Sequence, residues 1–190
     1  MKSKLLLCIV GLPGAGKSEA AKFFFEKKIP VVAFGKWIND FVTKNKLTHT
    51  VSVHKKISGD LRKRHGMEAM AKLNEQNIRS LFKNNNFIVV DGLRSFEEYV
   101  YLKRHLSDAE IIILAIWTDK KSRYIRIKNR ATRSELGGEK RDLGELAETN
   151  LGPTFTFADY IVLNQGSLPD LNLGLSKLYG EILKSVKKAK

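Results

Sequence analysis

Cysteine, proline and long apolar runs are scarce in this chain. Its 190 residues include one cysteine, Cys8, and four prolines. A lone thiol excludes an intrachain disulfide, and no cysteine and histidine spacing typical of a zinc site accompanies it. Because Cys8 lies inside an apolar run, we expect a buried thiol in a reducing compartment. No apolar stretch approaches the roughly 20 residues of a membrane-spanning helix, so we predict a soluble, cytoplasmic protein without a membrane partner.

Acidic residues are also few relative to basic ones. Thirty-four lysines and arginines stand against twenty aspartates and glutamates, a formal net charge of +14. Such an excess suits polyanionic partners, which include nucleotides, CoA-like molecules and nucleic acid. A solvated lysine-rich surface is the other interpretation, and the tail over 184–190 favours it. The length and the 43 % hydrophobic content predict one globular domain over residues 1–190.

The most informative motif is a phosphate-binding loop near the N-terminus. Residues 11–18 read Gly-Leu-Pro-Gly-Ala-Gly-Lys-Ser. An apolar run precedes them and a helical pattern follows, which is the context that the motif G-x-x-x-x-G-K-[ST] requires. Lys17 is expected to reach the β- and γ-phosphates of a nucleoside triphosphate, and Ser18 to ligate Mg²⁺. The predicted nucleotide-binding residues of this segment are Gly11, Pro13, Gly14, Ala15, Gly16, Lys17, Ser18 and Glu19.

The apolar runs predict an α/β fold. Five of them are rich in β-branched residues and are each followed by a turn signal and a helix-period stretch: Leu5–Val10, Val31–Phe34, Phe87–Asp91, Ile111–Trp117 and Tyr160–Leu163. Because the runs are continuous rather than alternating, the strands should be buried on both faces. We therefore predict a parallel sheet in a three-layer α/β/α sandwich. Helix starts are predicted at Ser95, Asp119 and Ser167, which have the form of capping residues.

An aspartate and an arginine follow the third predicted strand, as Asp91-Gly-Leu-Arg94. In α/β folds, ligands gather at the carboxyl ends of the strands. We therefore expect Asp91 near the phosphate loop, where a carboxylate can support Mg²⁺ through water. Arg94 at the same edge is expected to clamp a phosphate of the donor or the acceptor. A helix-capping aspartate beside a surface arginine is the alternative interpretation.

Four arginines follow the fourth predicted strand at helical spacing: Arg123, Arg126, Arg130 and Arg133. On one helix they would lie within an arc of roughly 80°, and four like charges on one face repel each other unless an anion lies among them. We predict a lid region over 123–142, with Gly137-Gly138 as a hinge or lid tip and Arg141-Asp142 as a returning arm. Arg126 and Arg130 are predicted to be catalytic and Arg123 to bind the nucleotide. A solvated basic face is the alternative.

Taken together, these blocks resemble the nucleoside and nucleotide kinases of the P-loop class. The resemblance is to the adenylate-kinase-related proteins of archaea and to the dephospho-CoA kinases. It rests on residues 11–19, 27–32, 64–67 and 90–95, on the arginine helix and on residues 158–167. It implies a sheet of order 2-3-1-4-5 with a short lid, acceptor-side helices over 36–80 and an adenine-facing turn that includes Asn164, Gly166 and Ser167. It also implies ATP and Mg²⁺ as cofactors, a small-molecule phosphate acceptor, and catalytic roles for Lys17, Asp91 and Arg94.

One segment departs from that pattern. Residues 35–40 read Gly-Lys-Trp-Ile-Asn-Asp, with lysine and asparagine where the resemblance leads us to expect aspartate and arginine. Asp40, Arg62 or Arg64 are the candidates to replace them, and spacing does not choose among the three. The acceptor is therefore open: a nucleoside monophosphate or another phosphate- or hydroxyl-bearing metabolite. Two alternative functions are a degenerate kinase that acts as an ATP-dependent binding module for RNA or protein, and a kinase of RNA ends.

Overall fold

The strands form one parallel sheet. A computed structural model describes residues 4–129 and 137–188, with side chains up to residue 185. Its strands are β1 (Lys4–Val10), β2 (Val31–Ala33), β3 (Phe87–Asp91), β4 (Ala109–Trp117) and β5 (Tyr160–Leu163). They are ordered β2-β3-β1-β4-β5, and every pairing is parallel. The predicted fold class and strand order are therefore confirmed.

Helices cover both faces of this sheet. In the described residues they are α1 (Lys17–Glu26), α2 (Lys36–Lys44), α3 (Val51–His65), α4 (Ala69–Leu81), α5 (Phe96–His105), α6 (Lys120–Lys128), α7 (Glu139–Ala147), α8 (Leu151–Thr156) and α9 (Leu168–Lys188). Helices α2 to α4 occupy the stretch predicted to lie on the acceptor side. None of the helices in this part of the chain combines the length and the apolar character needed to span a membrane.

The two faces of the sheet have separate apolar cores, which explains the continuous apolar runs. Along β1, Leu6, Cys8 and Val10 pack on one side with residues of α2 to α5 and α8. Leu5, Leu7 and Ile9 pack on the other side with α1 and α9. Successive strand side chains point to opposite faces, so a strand buried on both sides must be apolar throughout. Cys8 is fully buried, and this burial raises the pKa of its thiol.

Helix α5 begins at a capping box that also fixes the segment after β3. The Ser95 hydroxyl accepts from the Glu98 backbone N–H at 3.0 Å and donates to the Met67 carbonyl at 2.9 Å. The Glu98 carboxylate accepts from the backbone N–H groups of Arg94 and Ser95. The predicted helix starts at Asp119 and Ser167 are also present, since Asp119 accepts from Ser122 N–H and Asp170 accepts from Ser167 N–H.

The buried Glu98 gives a pH-dependent term in the stability. Burial raises the pKa of Glu98 to about 7, whereas an exposed glutamate titrates near 4.3. Between these values the folded state binds more protons than the unfolded state, so the free energy of unfolding should fall as the pH rises. Glu98→Gln cannot ionise and keeps an acceptor for the two N–H groups. We expect it to remove a decline of about 3 kcal/mol between pH 4 and 8, measured by urea unfolding across that range.

Glu110→Gln is the matched control, because Glu110 is exposed on β4. It removes one carboxyl group elsewhere and should follow the wild-type curve. A Glu98→Gln variant whose stability changes with pH as steeply as that of the wild type would contradict the assignment.

Candidate functional site

A cavity of about 500 Å³ opens at the carboxyl ends of the strands. It brings together most of the site residues predicted from the sequence: Pro13, Gly14, Gly16, Lys17, Ser18, Glu19, Asp91, Arg94, Arg126, Asn164 and Gly166. Arg141, from the predicted returning arm of the lid, lines it too. Apart from Arg141, which lies on α7, these residues lie at the carboxyl end of a strand or in the segment that follows one, so the parallel topology gathers them at one edge.

The phosphate loop has the curled backbone that its glycines permit. Gly16 has φ +104° and precedes α1 directly, with no side chain capping the helix start. A Cβ at Gly16 would lie 2.4 Å from the Asn164 side-chain nitrogen, so neither the backbone nor the space accepts a larger residue. The first N–H groups of α1 therefore face the cavity at the positive end of the helix dipole, an arrangement that favours a bound anion.

Lys17 holds its ammonium group within this loop. Its Nζ donates to the carbonyl oxygen of Gly11 at 2.7 Å and to that of Leu12 at 3.2 Å. These contacts bring the positive charge over the same concave surface that the loop N–H groups line. Gly11 does not line the cavity; its carbonyl oxygen accepts the hydrogen bond from Lys17.

Other loop carbonyls are held from behind by three distant side chains. Ala15 O accepts from the Thr118 hydroxyl at 3.1 Å and from the Asn164 side-chain amide at 2.8 Å. Pro13 O accepts from the Arg123 guanidinium at 3.0 Å. Thr118 was not singled out from the sequence, although a polar residue directly after the apolar β4 is a signal for this edge of the sheet. The Asn164 side chain therefore stabilises the shape of the loop through its hydrogen bond to Ala15 O.

Asp91 and Ser18 are the oxygen donors that face the cavity near Lys17. Burial raises the pKa of Asp91, and the charges of Lys17 and Arg94 oppose that rise. No group of three His, Cys, Asp or Glu side chains suited to a metal ion occurs within residues 4–129 and 137–188. A carboxylate and a hydroxyl fit Mg²⁺, which usually takes one or two protein ligands and completes its shell with water and substrate phosphates.

Three arginines line the cavity from different elements. Arg126 donates to Gly166 O at 3.2 Å and to the Thr118 hydroxyl at 3.3 Å. Arg94 and Arg141 both pair with Glu145, at 3.4 Å and 2.6 Å. Burial alone would raise the pKa of Glu145, but these two arginines hold it below the usual range. Glu145 was missed in the sequence, because its role depends on how α7 packs against the segment after β3.

Arg123 occupies a different place from the one expected of a nucleotide-binding residue. Its guanidinium is 5 % exposed and pairs with Asp142 at 2.6 Å, so it supports the loop from behind. Within the described residues α6 ends at Lys128 and carries Arg123 and Arg126 of the four predicted arginines. Arg130 and Arg133 lie outside the described residues. The Ser167 hydroxyl donates to Asp170 at 2.7 Å at the start of α9, and Ser167 does not line the cavity.

Helices α2 and α3, from the stretch predicted to lie on the acceptor side, line one wall of the cavity. Gly35, Lys36, Ile38 and Asn39 line it, and Asp40 pairs with Lys36. His54 and Ser58 of α3 line it as well, and the sequence analysis did not select them. Of the two arginines left open by spacing, Arg64 is exposed and Arg62 is half-buried. A histidine or serine at helical spacing gives no signal of its own until the phase of the helix is known.

Comparison with known proteins agrees with this geometry. A family model described as an AAA domain matches residues 7–144. A UPF0200 protein of Thermococcus kodakarensis is 31 % identical over 94 % of this chain and 98 % of its own length. A UPF0200 protein of Methanocaldococcus jannaschii is 30 % identical over 98 % of this chain and 94 % of its own length.

Among solved structures, two shikimate kinases are similar in fold. The enzyme of Acinetobacter baumannii, solved in complex with shikimate, has a TM-score of 0.60 at 17 % identity and covers 97 % of this chain and 96 % of its own. That of Bacteroides thetaiotaomicron has a TM-score of 0.57 at 17 % identity and covers 95 % of this chain and 98 % of its own. The expected resemblance to a P-loop kinase fold is thus confirmed.

The two arginines of α6 should separate in their effects on stability and binding. Arg123→Ala leaves the buried Asp142 without its cation, so the free energy of unfolding should fall by about 3–5 kcal/mol. Arg126→Ala removes a half-buried side chain that holds carbonyl and hydroxyl oxygens at the cavity wall. Its stability should change by less than about 1 kcal/mol, while nucleotide affinity falls. Urea unfolding and a nucleotide titration measure both. Equal losses of stability in the two variants would contradict the division of roles.

Proposed function

This chain belongs to the AAA domain family, whose model matches residues 7–144, and is related in sequence to the UPF0200 proteins; we propose that it is an ATP-dependent phosphotransferase. It would transfer the γ-phosphoryl group of ATP to a small, anionic acceptor. The main support for the proposal is that the phosphate loop, Asp91 and three arginines line the same cavity.

The donor half of the proposal rests on the loop and the end of β5. The N–H groups at the start of α1 and the Lys17 ammonium would hold the β- and γ-phosphates. Beside them, Arg126, Gly166, Leu168 and Leu171 line the cavity. A guanidinium beside apolar side chains suits the face of a nucleobase, so this wall is where we place the adenine. We therefore propose that the turn after β5 faces the adenine through Gly166 and the neighbouring leucines rather than through Ser167.

Ser18 and Asp91 are the residues that would hold Mg²⁺. When bound, the ion would neutralise charge on the phosphate oxygens of the donor. The chain's own cations do the corresponding work on the acceptor side. Charge in phosphoryl transfer spreads over the transferred oxygens, so catalysis is largely positioning and neutralisation. Because Arg94 and Arg141 line the cavity, we propose them for that role.

A small-molecule acceptor is favoured over a polymer by the shape of the site. The acceptor wall is formed by helices α2 and α3, and the cavity that it shares with the donor loop measures about 500 Å³. One neighbour in fold, the shikimate kinase solved with shikimate, holds a small molecule. We therefore propose that the acceptor is a compact metabolite with at least one anionic group.

Lys17→Ala tests the proposal directly. We expect acceptor-dependent ADP formation to fall about 100-fold or more, since a cation that stabilises transition-state charge is lost. A coupled assay with AMP, other nucleoside monophosphates, dephospho-CoA, nucleosides and shikimate supplies the measurement. The control is Lys22→Ala, which should leave the rate unchanged. Lys22 is an exposed lysine of the same helix, and its ion pair in the described residues is with Glu26 at 4.0 Å.

Absence of ADP release above background for the whole panel would overturn the phosphotransferase proposal. MgATP binding without such release, together with salt-sensitive RNA binding that changes with nucleotide, would favour the ATP-dependent binding module instead.

A further inference from the structure

We infer that the anionic group of the acceptor is a compact oxyanion, a carboxylate or a phosphate, that Arg62 holds in a side cavity next to the main one. This inference rests on the proposed function, because it names the chemical class of the acceptor. The side cavity measures about 50 Å³ and shares Ser58, Arg94 and Arg141 with the main cavity. A group bound in it would therefore belong to a molecule that reaches the phosphate loop.

The size of the side cavity limits what can enter. One water molecule needs about 10–15 Å³ of such cavity volume, so a cavity of about 50 Å³ holds only a group of a few non-hydrogen atoms. A carboxylate or a phosphate group meets that limit, and a nucleobase does not. The ring or chain of the acceptor must then remain in the main cavity, beside His54 and Asn39.

The charges around the side cavity do not balance. Five cationic side chains line it against two carboxylates, those of Glu145 and Glu148. Glu145 pairs with Arg94 and Arg141, and Glu148 pairs with Lys55 at 2.6 Å. Within the described residues, Arg62 has no carboxylate within 4.0 Å. The lining thus carries an excess of positive charge in which Arg62 lacks a close counter-ion.

Arg62 also presents one edge of its guanidinium without protein partners. Its Nε and Nη2 are buried and make no hydrogen bond to the part of the chain that the structure describes. Leaving such donors unsatisfied is costly. Together these two nitrogens can donate two parallel N–H···O bonds to the oxygens of one carboxylate or phosphate. Burial, and to a smaller extent the charge of Arg94, lowers the pKa of Arg62. An anion bound nearby would oppose both effects.

A structural role through Glu98 is the competing interpretation. Glu98 is fully buried and attracts Arg62 electrostatically. However, its Oε2 accepts from the backbone of Arg94 and Ser95, which keeps the carboxyl group at the start of α5. Its Oε1 is also without a partner in the described residues, and no ion pair within 4.0 Å joins it to Arg62. The fork of Arg62 is therefore not filled by this carboxylate.

Equilibrium binding of small anions tests the site without nucleotide or turnover. By calorimetry we expect inorganic phosphate to bind the wild-type protein at the phosphate loop, and inorganic phosphate or succinate to bind at a second site that depends on Arg62. Arg62→Gln should weaken one of these sites at least tenfold and keep the other, which also shows that the variant is folded. Lys17→Ala should do the reverse. Arg62→Lys, which keeps the charge but loses the fork, should give an intermediate loss.

Arg64→Gln is the matched control, since it removes the same charge from the same helix at an exposed position; both sites should survive. A parallel titration with succinate separates the two sources of the oxyanion: saturation by succinate alone assigns a carboxylate, and saturation by phosphate alone assigns a phosphate. Unchanged binding of both anions in Arg62→Gln would overturn the inference. An intact Arg62-dependent site in a protein that forms no ADP would overturn only the proposed function.

Discussion

The geometry of the site depends on how the carbonyl groups of the phosphate loop are satisfied. A loop can turn its N–H groups toward an anion only if the carbonyls on its other side find partners of their own. Here Thr118 and Asn164 both donate to Ala15 O, and Arg123 donates to Pro13 O. These donors come from the ends of β4 and β5 and from α6. The shape of the loop therefore depends on β4 and β5, which lie on one side of β1 in the sheet.

Helix α7 contacts both the arginine that holds the phosphate loop and an arginine that lines the cavity. Asp142 of α7 pairs with Arg123, which holds the loop, and Glu145 of the same helix pairs with Arg94. Residues three apart in a helix lie on one face, so a single face of α7 binds both Arg123, which holds the phosphate loop, and Arg94, which lines the cavity. Displacement of α7 would change both halves of the site together, because neither carboxylate is more than 8 % exposed.

The sequence predicted local and strand-level features well and long-range pairing poorly. The bounds of β3 and β5 were predicted to the residue, since the apolar run of β3 ends at Asp91 and that of β5 is followed directly by Asn164. The phosphate loop, the Ser95 capping box and the position of Asp91 also followed from local patterns. The partners of Arg123 and Arg94 did not, because Asp142 and Glu145 belong to a helix whose packing no short-range signal reveals. Of the four arginines at helical spacing, Arg123 and Arg126 lie on α6, and the other two fall outside the described residues.

The choice between Arg62 and Arg64 shows why spacing alone left the acceptor open. Both lie in the last turn of α3, and two residues apart on a helix point about 200° away from each other, so one faces the protein when the other faces solvent. Only the packing of Leu61 in the core fixes which one turns inward. Once that phase is set, an arginine enters a cavity already rich in positive charge. Like charges are stable at such close quarters only with anions among them, and the two carboxylates present are already paired with other cations. The excess positive charge at this end of the sheet therefore lines the candidate site and is not merely that of a solvated surface.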